Sequence, residues 1–186
     1  MELLTGIFSA FGLSASAGLN AYIPLLVIGV LDHYTNLITL QKPWYTLSNP
    51  WILILLGILL IIEMLADKVP AVNHLNDAIQ TVVRPAAGAV AFAASANVIT
   101  DIHPVLALAC GLLVAGTVHV GKAAVVRPAV TASTGGAANV PVSIAEDVAA
   151  TGVSVLAILV PVVIGILLVV TFAFLLSWWW KRSAKT

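Results

Sequence analysis

The chain has 186 residues, of which 61% are hydrophobic and 9% are charged. Soluble domains are roughly 45–50% apolar and about 25% charged, so this composition excludes an ordinary soluble domain and indicates a protein that lies in lipid. The 8 Lys and Arg residues balance the 8 Asp and Glu residues. Because this balance leaves no basic surface, nucleic acid is not expected as a partner. The one cysteine, Cys110, excludes an intramolecular disulfide.

The apolar stretches predict an all-α integral membrane protein that forms a single domain over residues 1–186. A bilayer core of about 30 Å needs around 20 helical residues, and about six stretches approach or exceed that length. In chain order, the predicted transmembrane helices are residues 3–31, 51–67, 86–100, 104–120, 128–145 and 148–180. Residues 69–83 form an amphipathic segment, which is predicted to lie on the membrane surface or under the bundle.

The distribution of Lys and Arg decides whether residues 128–145 cross the membrane, because cytoplasmic loops carry the excess of these residues. If the stretch crosses, Lys and Arg divide seven to one, with only Lys42 outside; if it does not, they divide four to four. We therefore predict six crossings of the bacterial inner membrane, with both termini cytoplasmic. A re-entrant course for residues 128–145 is the alternative.

An internal repeat is indicated by two pairs of similar segments. Ser14–Leu25 aligns without gaps on Thr131–Val142, with five identities in twelve positions, and Val82–Ala86 recurs as Val125–Ala129. The pattern predicts repeated helical hairpins, each opening with a helix that is rich in small residues and carries one Asn. The three asparagines are Asn20, Asn97 and Asn139. Similar composition alone is the competing explanation.

Prolines near two of these asparagines predict broken helices. Pro24 follows Asn20, and Pro141 follows Asn139. A proline removes a backbone donor and frees a carbonyl, so polar backbone would be exposed in both copies. Paired breaks in repeats indicate a substrate site near the middle of the membrane. Simple close packing of small residues is the alternative interpretation.

Two acidic pairs are the next candidates for a site. Glu63 and Asp67 are four residues apart and share a helix face near its cytoplasmic end, whereas Glu146 and Asp147 begin the sixth helix, which the six-crossing scheme places at the opposite end. Charges within a bilayer usually face a cavity or a partner. Carboxylates at both ends suit a cation pathway, although Ser143 could instead form a capping box with Glu146.

Basic residues leave the sign of the substrate open. Arg84, Lys122 and Arg127 precede or flank helix starts, where they could bind phosphate or carboxylate, but the positive-inside rule also explains them. The sequence contains neither a Gly-x-Ser-x-Gly nor a His-Glu-x-x-His motif. An enzyme is therefore not expected, a lipid-modifying enzyme is only a distant alternative, and no cofactor is predicted.

Three segments carry a resemblance to a known family: Ser14–Leu25, the Asp67-Lys68-Val69-Pro70 turn and Thr131–Pro141. Together they resemble an uncharacterised family of small bacterial inner-membrane proteins that is known only as a domain of unknown function. The resemblance covers nearly the whole chain. It implies a prokaryotic membrane protein and supplies no activity or site.

We predict a transporter or channel for a small solute or ion, and a homodimer is expected if the bundle must enclose a pathway. The predicted substrate-binding residues are Asn20, Asn139, Asn97, Glu63, Asp67, Glu146, Asp147, Arg84 and Arg127. The alternative is a membrane scaffold or assembly factor, in which small residues only pack helices and carboxylates only cap them.

Overall fold

The computed structural model describes residues 2–68, 70–96 and 103–161, together with 163, 166, 167, 169–174 and 177. This described part is all-helical, which confirms the predicted fold class at that level. The α-helices are α1 (Glu2–Leu19), α2 (Tyr22–Tyr34), α3 (Pro50–Ala66), α4 (Pro70–Ala96), α5 (Pro104–Gly121), α6 (Arg127–Thr134) and α7 (Asn139–Leu159). A 3₁₀ turn, Trp44–Ser48, precedes α3, and a π-helical stretch, Lys122–Val126, joins α5 to α6.

The first predicted helix, residues 3–31, is two helices rather than one. A straight helix would separate Ser9 from Ile28 by about 28 Å, at about 1.5 Å per residue. Both residues line the same cavity, so α2 folds back beside α1. The prediction of one span was wrong because hydropathy does not register a short turn between two apolar helices.

Asn20 makes this turn by capping α2. Its Oδ1 accepts hydrogen bonds from the backbone N–H groups of Tyr22 at 3.1 Å and Ile23 at 3.2 Å. Pro24 then lies in the first turn of α2, where a proline costs no helical hydrogen bond. The prediction that Pro24 breaks a helix was therefore wrong: this proline lies at the beginning of one.

The other helices pack around α1, some parallel to it and some antiparallel. α5 runs parallel to α1, since Ser14 Oγ donates to the carbonyl of Gly111 at 2.7 Å and Gly18 approaches Ala115 one turn further on. α7 runs antiparallel to α1, because Ser9 Oγ reaches the carbonyl of Ala157 at 2.5 Å while Ser16 reaches that of Ala150 at 2.8 Å.

The predicted amphipathic segment, residues 69–83, is continuous with the following helix. α4 runs through Pro85 over 27 residues, so the segment is part of the bundle rather than a separate surface helix. The predicted end of that span at residue 100, and with it Asn97, lies outside the described residues. Position 84 in the middle of α4 is fully buried.

Residues 128–145, predicted as one crossing helix, form a helical hairpin instead. α6 ends after eight residues, Gly135 and Gly136 take φ angles of 60° and 90°, and α7 begins at Asn139. Glycine adopts this left-handed backbone without a Cβ clash, so the pair reverses the chain. The start of α7 at Asn139 also excludes the predicted capping box at Ser143, which lies inside the helix.

The predicted last span, residues 148–180, is also divided. α7 ends at Leu159, and Val160 adopts φ −140° and ψ 63°. Pro161 follows, and a residue before proline is pushed out of the α-helical region by the proline ring. Beyond this break, Val169 and Phe172 lie beside Phe11 of α1 and line the same cavity.

The polarity of the bundle is reversed relative to a protein that folds in water. Large apolar side chains point outward, as Trp51 with 79% of its surface exposed and Leu113 with 66% illustrate, whereas Glu63 and Arg84 are buried. Two helices of the described part are long and apolar enough to cross a bilayer: Pro104–Thr134, which includes α5, the π-helical stretch and α6, with 31 residues, and Asn139–Leu159, with 21.

Candidate functional site

A group of seven ionisable side chains, five of them buried, lies at the end of the bundle where α1 turns into α2. We call it the ionic cluster, and it draws on α3, α4, α6, α7 and the π-helical stretch. Its members are Glu63, Asp67, Arg84, Lys122, Arg127, Glu146 and Asp147. Four carboxylates face three cations, so the cluster carries one net negative charge when all its members are ionised.

Glu63 and Arg84 form the most enclosed pair of the ionic cluster, with 1% of each side chain exposed. Arg84 donates from Nη2 at 2.8 Å and from Nε at 3.2 Å, and both bonds go to Oε1 of Glu63. Oε2 of Glu63 is buried without a hydrogen-bond partner. On its other side, Arg84 Nη1 lies 3.5 Å from Nδ1 of His119. The pair therefore ties α3 to α4 and α5.

Asp67 is the hub of the ionic cluster. Its Oδ2 lies 3.1 Å from Arg127, 3.7 Å from Arg84 and 4.0 Å from Lys122. It also accepts hydrogen bonds from Asn76 Nδ2 at 2.7 Å and Ser143 Oγ at 3.2 Å. Burial alone would raise the pKa of this carboxyl, but Arg127, Lys122 and Arg84 outweigh burial and hold that pKa below its ordinary value.

Lys122 lies in the π-helical stretch and is also buried. Its Nζ lies 2.6 Å from Oε2 of Glu146 and donates to the backbone carbonyl of Leu19 at 3.2 Å. Leu19 ends α1, where the last carbonyls have no partner within the helix. The ammonium group of Lys122 therefore binds both α7 and the end of α1. Its position in a π-helical stretch is typical of functional residues.

Asp147 is held differently from the other three carboxylates. Its Oδ1 accepts a hydrogen bond from Nδ2 of Asn20 at 2.9 Å. Its Oδ2 is buried without a hydrogen-bond partner. Within the described part of the chain, no ion pair reaches Asp147, whereas Glu63, Asp67 and Glu146 each have one. Asp147 is thus the carboxylate that lacks a cation.

A row of serines extends from Asp147 along the interface of α1 and α7. Ser16 Oγ lies 2.7 Å from Ser154 Oγ and donates to the carbonyl of Ala150. Further along, Ser9 Oγ donates to the carbonyl of Ala157. We call this row, from Asn20 to Ser9, the serine seam.

The serine seam ends in a cavity of about 150 Å³ at the opposite end of the bundle. Ser9 lines this cavity together with Thr5 and Ser95. At about 30 Å³ per water molecule, the volume accommodates several waters. Hydroxyl groups are therefore spaced along α1 between the ionic cluster and a cavity near the loop that joins α2 to α3.

Comparison with known families classifies the chain. Residues 7–182 match the family described as Domain of unknown function (DUF4126). The chain belongs to this family. The resemblance of Ser14–Leu25 and Thr131–Pro141 to an uncharacterised family is therefore confirmed, and DUF4126 brings no activity with it. No curated protein and no solved structure matches the chain.

In this DUF4126 member, most of the predicted site residues come together. Asn20 and the acids and arginines predicted from the sequence all belong to or contact the ionic cluster. Asn139 does not, because its side chain bonds to Thr131 across the exposed α6–α7 hairpin. Asn97 lies outside the described residues.

The position predicted for Glu146 and Asp147 was wrong. The six-crossing scheme placed them at the opposite end from Asp67, but Lys122 binds both Glu146 and, more loosely, Asp67. The reason is the hairpin between α6 and α7, which returns the chain to the same end. The predicted location of this acidic pair depended on whether residues 128–145 cross the membrane.

Sequence reasoning missed several polar partners of the cluster. Lys122 was considered for anion binding but not selected as a site residue, and neither were Asn76, Gln80 and His119. Asn76, Gln80 and Arg84 are spaced by four residues and buried on one face of α4. That spacing was visible in the amphipathic segment, but its polar side was assigned to water.

Proposed function

We propose that the chain is a multi-pass protein of the bacterial inner membrane that transports a small solute or ion, with the ionic cluster on the transport route. The bilayer assignment is supported by the outward-facing apolar side chains of α3, α5 and α7. Lipid is the solvent in which such an exterior is stable, because apolar side chains lose nothing there by exposure. The charged interior then requires a functional explanation.

In the proposed arrangement, α1, α2, α3, α4, α5 and α7 cross the membrane, and the ionic cluster lies near the cytoplasmic side. The positive-inside rule supports this orientation, because Lys68, Arg84, Lys122 and Arg127 belong to the cluster end. Lys42, in the loop after α2, is then external. The first residues of α1 are external as well, in place of the predicted cytoplasmic N-terminus.

The observation that carries the proposal is a cluster of seven ionisable side chains, five of them buried, within a bundle of apolar exterior. Taking several charged side chains out of water is costly even when they are paired. A protein that needed only to hold its helices together would avoid this cost with apolar contacts. Ionisable groups inside a membrane bundle usually mark a route for ions, protons or polar substrates.

The transport proposal is tested with purified protein in sealed vesicles and a panel of monovalent cations, divalent cations, anions and amino acids. We expect the wild type to move at least one member of the panel and Glu63→Gln to lose most of that flux, because it removes the partner of Arg84. Asp32→Asn is the matched control: it also neutralises a carboxylate, but at the far end of α2, where Asp32 Oδ1 only accepts from the Leu40 N–H. A wild type that moves nothing on the panel would sink the proposal.

A membrane scaffold is the second candidate, and one observation favours it. Arg84, Lys122 and Arg127 each bind a carboxylate from another helix, so the cluster also fastens the bundle. The double substitution Glu63→Met with Arg84→Met separates the two functions, because a well-packed apolar pair often replaces a buried ion pair at no loss of stability. A scaffold keeps its function in this variant, whereas a transporter keeps its fold and loses its flux.

A further inference from the structure

The charge balance of the ionic cluster leaves one carboxylate without a basic partner. Arg84 pairs with Glu63, Arg127 with Asp67 and Lys122 with Glu146. Asp147 is the fourth carboxylate, and its only polar side-chain partner in the described part of the chain is the neutral amide of Asn20. A buried carboxylate oxygen without a donor is unfavourable, and an added proton would turn this group into a donor.

The environment of Asp147 is closed on the protein side. Its side chain is more than nine-tenths buried, with 8% of the residue exposed, and Oδ2 has no donor. The other charged groups at this end of the bundle come from every element packed there. They are Glu63 and Asp67 from α3 and the residue after it, Arg84 from α4, Lys122 from the π-helical stretch, Arg127 from α6 and Glu146 from α7, and His119 of α5 contacts Arg84.

The number of free oxygens suits a proton rather than a metal cation. Hard metal ions take about six or more oxygen ligands. Next to Asp147, Oδ1 of Asn20 already accepts from two backbone N–H groups. Ser143 Oγ donates to Asp67. Oδ2 of Asp147 is thus a single free acceptor, which one proton satisfies by forming a neutral carboxylic acid that can itself donate.

Hydroxyl groups stand at intervals along α1 between this acceptor and the other end of the bundle. Ser16 lies one turn before Asn20 on α1, and its hydroxyl contacts Ser154 of α7. The serine seam continues to Ser9 and ends in the cavity of about 150 Å³. Hydroxyl groups both donate and accept, so with water between them they relay protons without any net change in their own charge.

We propose that Asp147 is a proton-binding site and that protons reach it from the cavity along the serine seam. This inference rests on the proposed transport function and assigns its coupling ion. In the loading step, a hydronium ion in the cavity loses a proton, and the proton forms a bond to Oδ2 of Asp147. In the release step, the same bond breaks and water at the ionic cluster accepts the proton. No oxidation or reduction takes place.

Protonation of Asp147 also removes the net negative charge of the cluster. This changes the competition among the carboxylates for the three cations. Arg84 lies 3.7 Å from Asp67 while it binds Glu63, so it has two acceptors on α3 and its C-terminal turn. When Asp147 becomes neutral, the carboxylates and cations of the cluster balance. Loading of the proton is therefore communicated to the ion pairs that fasten α3, α4 and α7 together.

The binding site is tested by infrared difference spectroscopy of the full-length protein, in which a protonated carboxyl gives a C=O stretching band. We expect a band that titrates in the wild type, disappears in Asp147→Asn and persists in the control Asp32→Asn. Asp147→Glu retains a carboxyl and should shift the band without removing it, which covers the case that the Asn variant fails to fold. A band that is unchanged in a folded Asp147→Asn protein overturns the proposal.

The route is tested by proton entry into vesicles that contain a pH-sensitive dye, driven by a potassium diffusion potential. Asp147→Asn should reduce proton entry at least about a hundredfold, in line with the contribution of a positioned proton-transfer group. Ser16→Ala should also reduce it while leaving the infrared band in place. Equal proton entry in wild type and Asp147→Asn overturns the inference.

The same vesicles distinguish the inference from the transport proposal on which it rests. Sodium or potassium entry without proton movement would overturn the proton assignment and leave the transport proposal standing. No flux of any solute in the wild type would overturn both proposals. Proton entry that depends on both Asp147 and Ser16 supports both.

Discussion

Arg84 is fully buried and meets both acids of α3 and its C-terminal turn. Its loss and the loss of its partner Glu63 should therefore differ in cost. Arg84→Gln leaves four carboxylates with two cations, and we expect a loss of about 3–5 kcal/mol in the free energy of unfolding. Glu63→Gln leaves a balanced cluster in which Arg84 can turn to Asp67, so its cost should be smaller.

The measurement for this pair is thermal or denaturant unfolding of the purified proteins in detergent. Lys68→Gln is a suitable control, because Lys68 Nζ bonds only to the carbonyl of Met64 among the described residues and lies outside the cluster. Equal destabilisation by Arg84→Gln and Glu63→Gln would mean that the free energy of unfolding does not depend on the net charge of the cluster.

The choice of residues for the candidate site could be made from the sequence, because charges are conspicuous in a chain with so few of them. Glu63, Arg84 and Asp147 were all selected on that ground. Their pairing could not be predicted, since it depends on which helices are neighbours. Asn139 was selected by analogy with Asn20, but its side chain has Thr131 as a partner in its own hairpin and does not need the cluster.

At the scale of helices, the close packing of α4 on α5 depends on Gly88 and Gly111. A Cβ at Gly111 would overlap the carbonyl of Gly88 and the backbone of Ala89. Since backbone atoms cannot move aside as a flexible side chain can, Gly111→Ala should lower the stability by about 1–3 kcal/mol.

Gly57 provides the matched control for this substitution. It lies within α3, and a Cβ added there meets nothing within 4 Å. Gly57→Ala should be neutral or stabilising by up to about 1 kcal/mol, because alanine is the better helix former. Thermal unfolding of both variants is the measurement, and equal effects would contradict the packing of α4 on α5.

The lengths and ends of the helices were only partly predictable. α3 and α5 occupy nearly the residues of the predicted spans 51–67 and 104–120, because polar residues or prolines stand at both ends. Residues 3–31 and 128–145 were misjudged, since a turn of two residues after Leu19 or of four after Thr134 leaves no trace in a hydropathy window. At Gly135 the deciding property is backbone conformation, which average hydrophobicity does not contain.

For the whole molecule, the proposed orientation predicts which side of the membrane reaches each loop. In a Cys110→Ala background, Lys42→Cys should react with a membrane-impermeant thiol reagent from outside the cell. Thr134→Cys, at the end of α6, should react only from the cytoplasmic side. If residues 128–145 crossed the membrane as one helix, Thr134→Cys would lie within the bilayer and remain unlabelled from both sides.

The continuous helix from Pro104 to Thr134 is also too long for a bilayer. Its 31 residues extend about 46 Å, compared with a hydrocarbon core of about 30 Å. The excess belongs to the π-helical stretch and α6, which in the proposed orientation project beyond the cytoplasmic face. In that orientation the ionic cluster would lie where the helix leaves the lipid.

The glycine turn between α6 and α7 has a consequence for variation in chain length. Gly135 and Gly136 would meet no crowding from an added side chain beyond Asn139 at 3.7 Å, so the turn is surrounded by open space. Doubling the length of an open loop costs only about 0.6 kcal/mol of closure entropy. The side-chain contacts of Asp67 with Arg127 and Ser143 hold both sides of the hairpin independently of the turn. This turn should therefore accommodate inserted residues, or even an inserted domain.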